Sequence, residues 1–154
     1  DTIVFDVNEY GKPYVANVPN IYFNLSHSGK WVACIVSDNQ CGIDIEKIAD
    51  VDMRIVERFF SMSECNAIKK INSSELRQKF FEYWTIKESY IKFIGKGLSI
   101  PLNSFEVYEE ANRYIIKTYD ETTCNVEVID FDLEYKMAIS YLDKQYELDF
   151  RNWR

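Results

Sequence analysis

The segment Gly42-Ile43-Asp44-Ile45-Glu46-Lys47 constrains the fold more than any other, because apolar and acidic residues alternate there with the period of an extended strand. Ile43 and Ile45 face one way, into a core. Asp44 and Glu46 face the other, two residues and about 6.6 Å apart along the strand. Two carboxylates so placed suit one small hard cation. Magnesium commonly takes one or two protein carboxylates and completes its octahedron with water and phosphate oxygens. A D-x-E strand is more often the solvated face of a half-buried sheet, so the metal reading depends on a third carboxylate brought in from elsewhere.

The stretch before it, Trp31 to Ser37, is a continuous apolar run closed by the turn Asp38-Asn39-Gln40. Together the two stretches predict a central hairpin whose second strand carries the carboxylates. A shorter strand, Ile21 to Leu25, leads into Ser26-His27-Ser28-Gly29-Lys30, which the sequence predicts as a turn. Its backbone N–H groups, hydroxyls and imidazole suit phosphate oxygens; the alternative is a hairpin turn whose serines satisfy their own backbone. No third group orients a Ser–His nucleophilic pair. Thr2 to Val7 is a further strand, followed by the turn Asn8 to Pro13. Lys12, between Gly11 and Pro13, is either a phosphate contact or an exposed loop lysine.

From Asp52 the apolar period becomes helical, through Met53, Val56, Phe59 and Phe60, with Asp52 as N-cap and Arg58 near the end. A second short helix is expected to begin at Ser63. Glu64 comes too early in it for a capping box and is either a first-turn acid or a functional carboxylate. The longest helix runs from about Ser74 to Phe93, with Leu76, Phe80, Phe81, Trp84 and Ile91 on its buried side. Glu88 interrupts that side with Lys92 one turn later, and Lys87 lies on the adjoining stripe. Glu88 supplies the third carboxylate. Gly95-Lys96-Gly97 ends the helix, and Phe105–Tyr108, Tyr114–Tyr119, Val126–Phe131 and Lys136–Tyr141 alternate as strands. The tail, Tyr146 to Arg154, is a last strand or an ordered end.

These elements predict an α+β fold, an antiparallel sheet packed against a long helix, as one domain over residues 1–154. The 47% hydrophobic and 16% aromatic content supports a proper core. A net charge of −7 argues against a general nucleic-acid partner. No run is long and apolar enough for a bilayer and no secretory leader is evident, so the expected site is cytoplasmic, away from membranes. Four cysteines without C-x-x-C spacing and a single histidine disfavour zinc, and the thiols are expected to be reduced and mostly buried.

Three motifs now stand in order: Phe23-Asn24-Leu25-Ser26-His27-Ser28, Gly42 to Lys47, and Trp84-Thr85-Ile86-Lys87-Glu88-Ser89-Tyr90-Ile91-Lys92. This combination resembles the 4′-phosphopantetheinyl transferases. The likeness is greater to the surfactin-synthetase-activating type, which shares the Gly11-Lys12-Pro13 turn and a Gly-Lys-Gly after the long helix. The resemblance implies transfer of the phosphopantetheine arm of coenzyme A to a serine of an acyl or peptidyl carrier protein, with release of 3′,5′-ADP. It implies Mg²⁺ held by Asp44, Glu46 and Glu88, and coenzyme A contacts from Lys12, Ser26 and His27. Lys92 would lie near the pyrophosphate, His27 would assist in supplying positive field, and Glu64 or Glu88 would take the serine proton. It further implies an α/β sandwich-like, pseudo-two-fold architecture of which this chain is one half and more. Most of the first half, with its basic residues for the adenosine 3′-phosphate, is missing, so either the chain belongs to a longer protein or it associates with another chain or itself. A non-catalytic module binding coenzyme A or a carrier protein is the alternative.

Overall fold

The computed structural model describes residues 2–118, 124–142 and 149. In chain order the strands are β1 (Phe5–Val7), β2 (Pro13–Val15), β3 (Tyr22–Ser28), β4 (Trp31–Ser37) and β5 (Cys41–Lys47). Three helices follow, α1 (Met53–Phe59), α2 (Met62–Lys69) and α3 (Ser73–Ile94), then two single 3₁₀ turns. Strands β6 (Glu106–Glu110), β7 (Arg113–Lys117), β8 (Asn125–Ile129) and β9 (Tyr135–Tyr141) complete the described elements. The fold is α+β with antiparallel pairing throughout, as expected, though divided among small sheets: β1-β2, β3-β4, β5-β9-β8 and β6-β7. The predicted tail and the end of the strand at Tyr119 lie outside the described residues, Asp149 excepted. Among the described residues no helix is long and apolar enough to cross a membrane.

The three-stranded sheet and α3 position the site. β5 pairs along its whole length with β9, Asp44 opposite Ala138 and Glu46 opposite Lys136. One face of this sheet, through Ile43, Ile45, Met137 and Ile139, packs on Trp31, Ala33 and Ile35 of β4. The other faces α3, where Ser140 and Ser89 share a buried hydroxyl contact of 2.9 Å. Cys41 through Ile45 are therefore all buried, and β5, though an edge strand of its sheet, is covered on both faces rather than half-solvated as its alternation suggests. The expected hairpin between Trp31–Ser37 and Cys41–Lys47 does not form. β4 pairs with β3 and β5 with β9, because the isoleucine face of β5 is covered by β4 lying across it rather than beside it.

Gly42 makes the close approach of β5 to α3 possible. A Cβ there would stand 2.1 Å from the Ser89 carbonyl oxygen and 2.4 Å from the Phe93 nitrogen, both main-chain atoms of the helix. Neither can move without bending α3. Gly42→Ala is expected to cost about 3 kcal/mol, read as a lowered urea midpoint; a change below about 0.5 kcal/mol would show that the helix does not seat so closely.

Two local expectations are corrected. Ser26, His27 and Ser28 lie within β3, and the turn is confined to Gly29 and Lys30. Helix α2 starts one residue earlier than Ser63: Ser61 is its N-cap, its hydroxyl accepting from the Glu64 N–H while the Glu64 carboxylate accepts from the Ser61 N–H. That is a capping box. The α1 cap at Asp52 and the left-handed Gly95 ending α3 (φ 76°) are as expected. The four cysteines are free, as predicted, but Cys41 is the buried one, Cys34 is exposed, and Cys65 and Cys124 are half-buried.

Candidate active site

Asp44 is the centre of the site. It is 3% exposed, because its strand is covered on both faces. Its Oδ1 accepts from the Lys92 ammonium at 2.7 Å and from the Ser26 hydroxyl at 3.0 Å. Lys92 also donates to Ser26 Oγ at 2.9 Å, so lysine, serine and aspartate form a closed triangle. Oδ2 is buried with no hydrogen-bond partner among the described residues. A buried carboxylate oxygen left empty-handed costs free energy, and it is the valence that a cation would take up.

Burial pushes the Asp44 carboxyl up to about 7. The Lys92 ammonium opposes that rise, while the Glu46 and Glu88 charges add to it. Glu88, half-buried on α3, is likewise raised by burial, with Lys92 opposing and Glu46 adding. The three carboxylates thus act on one another across the gap between β5 and α3. Among the described residues, however, no group of three or more His, Cys, Asp or Glu side chains is gathered tightly enough to grip a metal ion. The donor set fits a hard cation in kind, being all carboxylate oxygen, and in the unused oxygen of Asp44.

The raised carboxyl has a consequence for stability. A carboxyl near 4 in the unfolded chain and near 7 in the folded one binds more protons when folded throughout that interval. Its protonated form suits the folded state, so stability falls as pH rises from about 4 to 7 and is level beyond, a loss of up to about 4 kcal/mol. Metal-free protein should therefore melt lower at pH 8 than at pH 5.5, and Asp44→Asn should flatten that difference. An unchanged pH slope in the variant would place the titration elsewhere.

Of the residues singled out in the sequence, Asp44, Glu46, Glu88, Lys92 and Ser26 come together. His27 does not join them. It is exposed, on the opposite side of β3 from the serines that meet β5. Lys12 is half-buried and its ammonium donates to the main-chain carbonyls of Lys92 (2.6 Å), Cys41 (3.0 Å) and Phe93 (3.4 Å). There it offsets the negative end of the α3 dipole, and burial lowers its pKa.

Glu64 stands elsewhere, in the main core. Its Oε1 accepts from Lys87 Nζ at 2.8 Å and from the Val107 N–H at 2.7 Å. Its Oε2 accepts from the Ser61 N–H at 2.7 Å. Lys87, fully buried, spends its remaining donors on the Leu102 and Phe105 carbonyls at 2.8 and 2.9 Å and lies 4.3 Å from the Phe105 ring centroid. The pair ties α2, α3 and the entry to β6 together. Sequence reasoning does not mark Lys87 as a core cation, and it offers the Ser28 hydroxyl to phosphate oxygens, whereas in the structure that hydroxyl donates to Glu46 Oε2 at 2.9 Å. The signal for Ser28 was the alternation Asn24-x-Ser26-x-Ser28, three polar residues on one face of a strand.

The model of the 4′-phosphopantetheinyl transferase superfamily matches residues 40–146, well over half of the chain. The chain belongs to that superfamily. A 4′-phosphopantetheinyl transferase of Bacillus subtilis is 41% identical over 139 residues, covering 89% of this chain and 62% of the relative. The gsp transferase of Aneurinibacillus migulanus is 46% identical over 116 residues, covering 75% of this chain and 48% of the relative. The similarity thus runs to the surfactin-synthetase-activating type, Sfp itself being 39% identical. The chain spans about three fifths or less of the length of these curated relatives. The fold is that of a holo-(acyl-carrier-protein) synthase of Bacillus anthracis, solved in complex with CoA (3′,5′-ADP). It superposes with a TM-score of 0.60 at 23% identity, over 67% of this chain and 94% of that one. In this chain β5 carries Asp44 and Glu46, and α3 carries Glu88.

Proposed function

We propose that this chain carries the phosphoryl-transfer site of a 4′-phosphopantetheinyl transferase, moving the phosphopantetheine arm of coenzyme A to a serine of an acyl or peptidyl carrier protein. The observation that carries the reading is the buried, unpartnered Asp44 Oδ2 beside Lys92, with Glu46 and Glu88 facing it. In this reaction the serine oxygen bonds to the β-phosphorus, the bond to the bridging oxygen breaks, and its electron pair leaves with 3′,5′-ADP. Negative charge grows on phosphoryl oxygens, so positioning and charge stabilisation dominate.

In this reading Asp44, Glu46 and Glu88 hold Mg²⁺, which when bound neutralises charge on the diphosphate. Lys92 is already in place at the carboxylates and presents its ammonium to the pyrophosphate. Ser26 holds both Lys92 and Asp44 in orientation, in addition to the coenzyme A contact that the resemblance implies. His27 is exposed and can meet a ligand approaching the outer side of β3. Lys12 would meet one only by releasing its carbonyl partners. The serine proton goes to Glu88, which lies half-buried on α3 one turn before Lys92. Glu64 is not given that role, because both of its oxygens are engaged and it is 1% exposed.

Intact-mass spectrometry of an apo carrier protein incubated with this chain, coenzyme A and Mg²⁺ tests the proposal. A gain of one phosphopantetheine arm that EDTA abolishes supports it. No gain, from this chain and from a form extended to its relatives' length, overturns it; binding of coenzyme A without turnover would then select a non-catalytic module.

A further inference from the structure

β3 lies alongside β5 without a main-chain ladder between them: the two strands belong to different sheets. Three β3 side chains make the join. Asn24 Oδ1 accepts from the Ile43 N–H at 2.9 Å, Ser26 Oγ from the Ile45 N–H at 3.2 Å, and Ser28 Oγ from the Lys47 N–H at 3.0 Å. Each rung advances two residues on both strands, so the strands run in parallel register with side chains in place of carbonyls.

Hydrogen counting decides what the two serines do next. A hydroxyl has one proton and two lone pairs. Because each oxygen already accepts a main-chain N–H, its own proton is free to point outward, and in each case a carboxylate receives it. Ser26 donates to Asp44 Oδ1 at 3.0 Å and Ser28 to Glu46 Oε2 at 2.9 Å. Each carboxylate belongs to the residue just before the N–H that its serine accepts. The serines thereby convert β5 main-chain donors, which cannot reach the acidic side chains of their own strand, into donors aimed at them.

We propose that Ser28 is a positioning residue for Glu46, holding its carboxylate toward Asp44 and Glu88 so that it serves as a cation ligand. The proposal rests on the metal reading above. Ser26 is doubly committed, to Lys92 as well as to Asp44. Among the described residues Ser28 has Glu46 as its sole side-chain acceptor, which makes it the cleaner probe. Glu46 is half-buried at the end of its strand, where a carboxylate without such a tether has several rotamers. Hydrogen bonds to ligating carboxylates commonly account for 10- to 100-fold in metal affinity.

Calorimetric titration with Mn²⁺ alone, a Mg²⁺ surrogate with a larger signal, reads this without turnover. Ser28→Ala is expected to bind Mn²⁺ about 10-fold more weakly than wild type, and Ser28→Thr, which keeps the hydroxyl, to restore most of the affinity. The Lys47 N–H left behind is exposed, so the melting temperature of metal-free Ser28→Ala should move little. Wild-type affinity in Ser28→Ala, or equal weakening in Ser28→Thr, overturns the positioning role while leaving the metal reading in place. Absence of Mn²⁺ binding by the wild-type protein overturns both.

Discussion

Asp44→Asn is expected to lower transfer to a carrier protein by on the order of 10³-fold without unfolding the chain. Asparagine keeps the size of the side chain and an oxygen for Ser26 and Lys92, so the triangle on the Oδ1 side survives. The atom at the Oδ2 position becomes an amide nitrogen, which cannot accept a cation. Charge is removed at the most buried carboxylate of the site, and the variant should hold its melting temperature at pH 8 in metal-free buffer. Rates of carrier modification by intact mass, alongside circular dichroism melts, separate the two effects. A variant within ten-fold of wild type at saturating Mg²⁺ would remove Asp44 from the cation site.

The second large effect concerns the core rather than the site. Lys87→Met should destabilise the protein by about 3–5 kcal/mol, because it strands the Glu64 carboxylate in an apolar setting with only the Val107 and Ser61 N–H groups. It also takes the ammonium from the Leu102 and Phe105 carbonyls, which lose a donor each. Burial already disfavours the charged form of Lys87, with Glu64 opposing that shift, so each member of the pair depends on the other. Pairing Lys87→Met with Glu64→Gln should recover much of the loss, since a neutral pair leaves no buried charge. Urea midpoints of the two single variants and the double variant form the cycle. A loss below about 1 kcal/mol in Lys87→Met would mean that water reaches the pair. If Glu64→Gln kept wild-type stability yet lost turnover, Glu64 would be the proton acceptor after all and Glu88 would not.

The contrast between these residues shows where a linear reading runs out. Glu64 and Glu88 are both acids on helices next to aromatic residues, and nothing in their spacing separates them. Position in the fold does: Glu64 closes a capping box and neutralises Lys87 in the core, whereas Glu88, one turn before Lys92, faces β5. Lys87 and Lys92 are likewise indistinguishable as helix lysines. One side of α3 meets the 3₁₀ turn at Leu102–Ser104 and β6, and the other meets Asp44.

Local physics made much of the chain legible. Periodicity located β4, β5, β9 and α3 to within a residue or two, the Asp52 and Gly95 caps followed from side-chain and backbone chemistry, and the D-x-E strand with the Glu88–Lys92 turn marked the acidic site. These features depend on contacts between residues near in sequence, which a pattern can carry. The pairing of β5 with β9, the crossing of β4 over the isoleucine face, and the rungs from Asn24, Ser26 and Ser28 to β5 join distant segments, and several partners would have satisfied the same local pattern. Only packing chose among them: the closeness that Gly42 permits brings β5 against α3, and that approach sets Lys92 on Asp44 and leaves one buried carboxylate oxygen free for a cation.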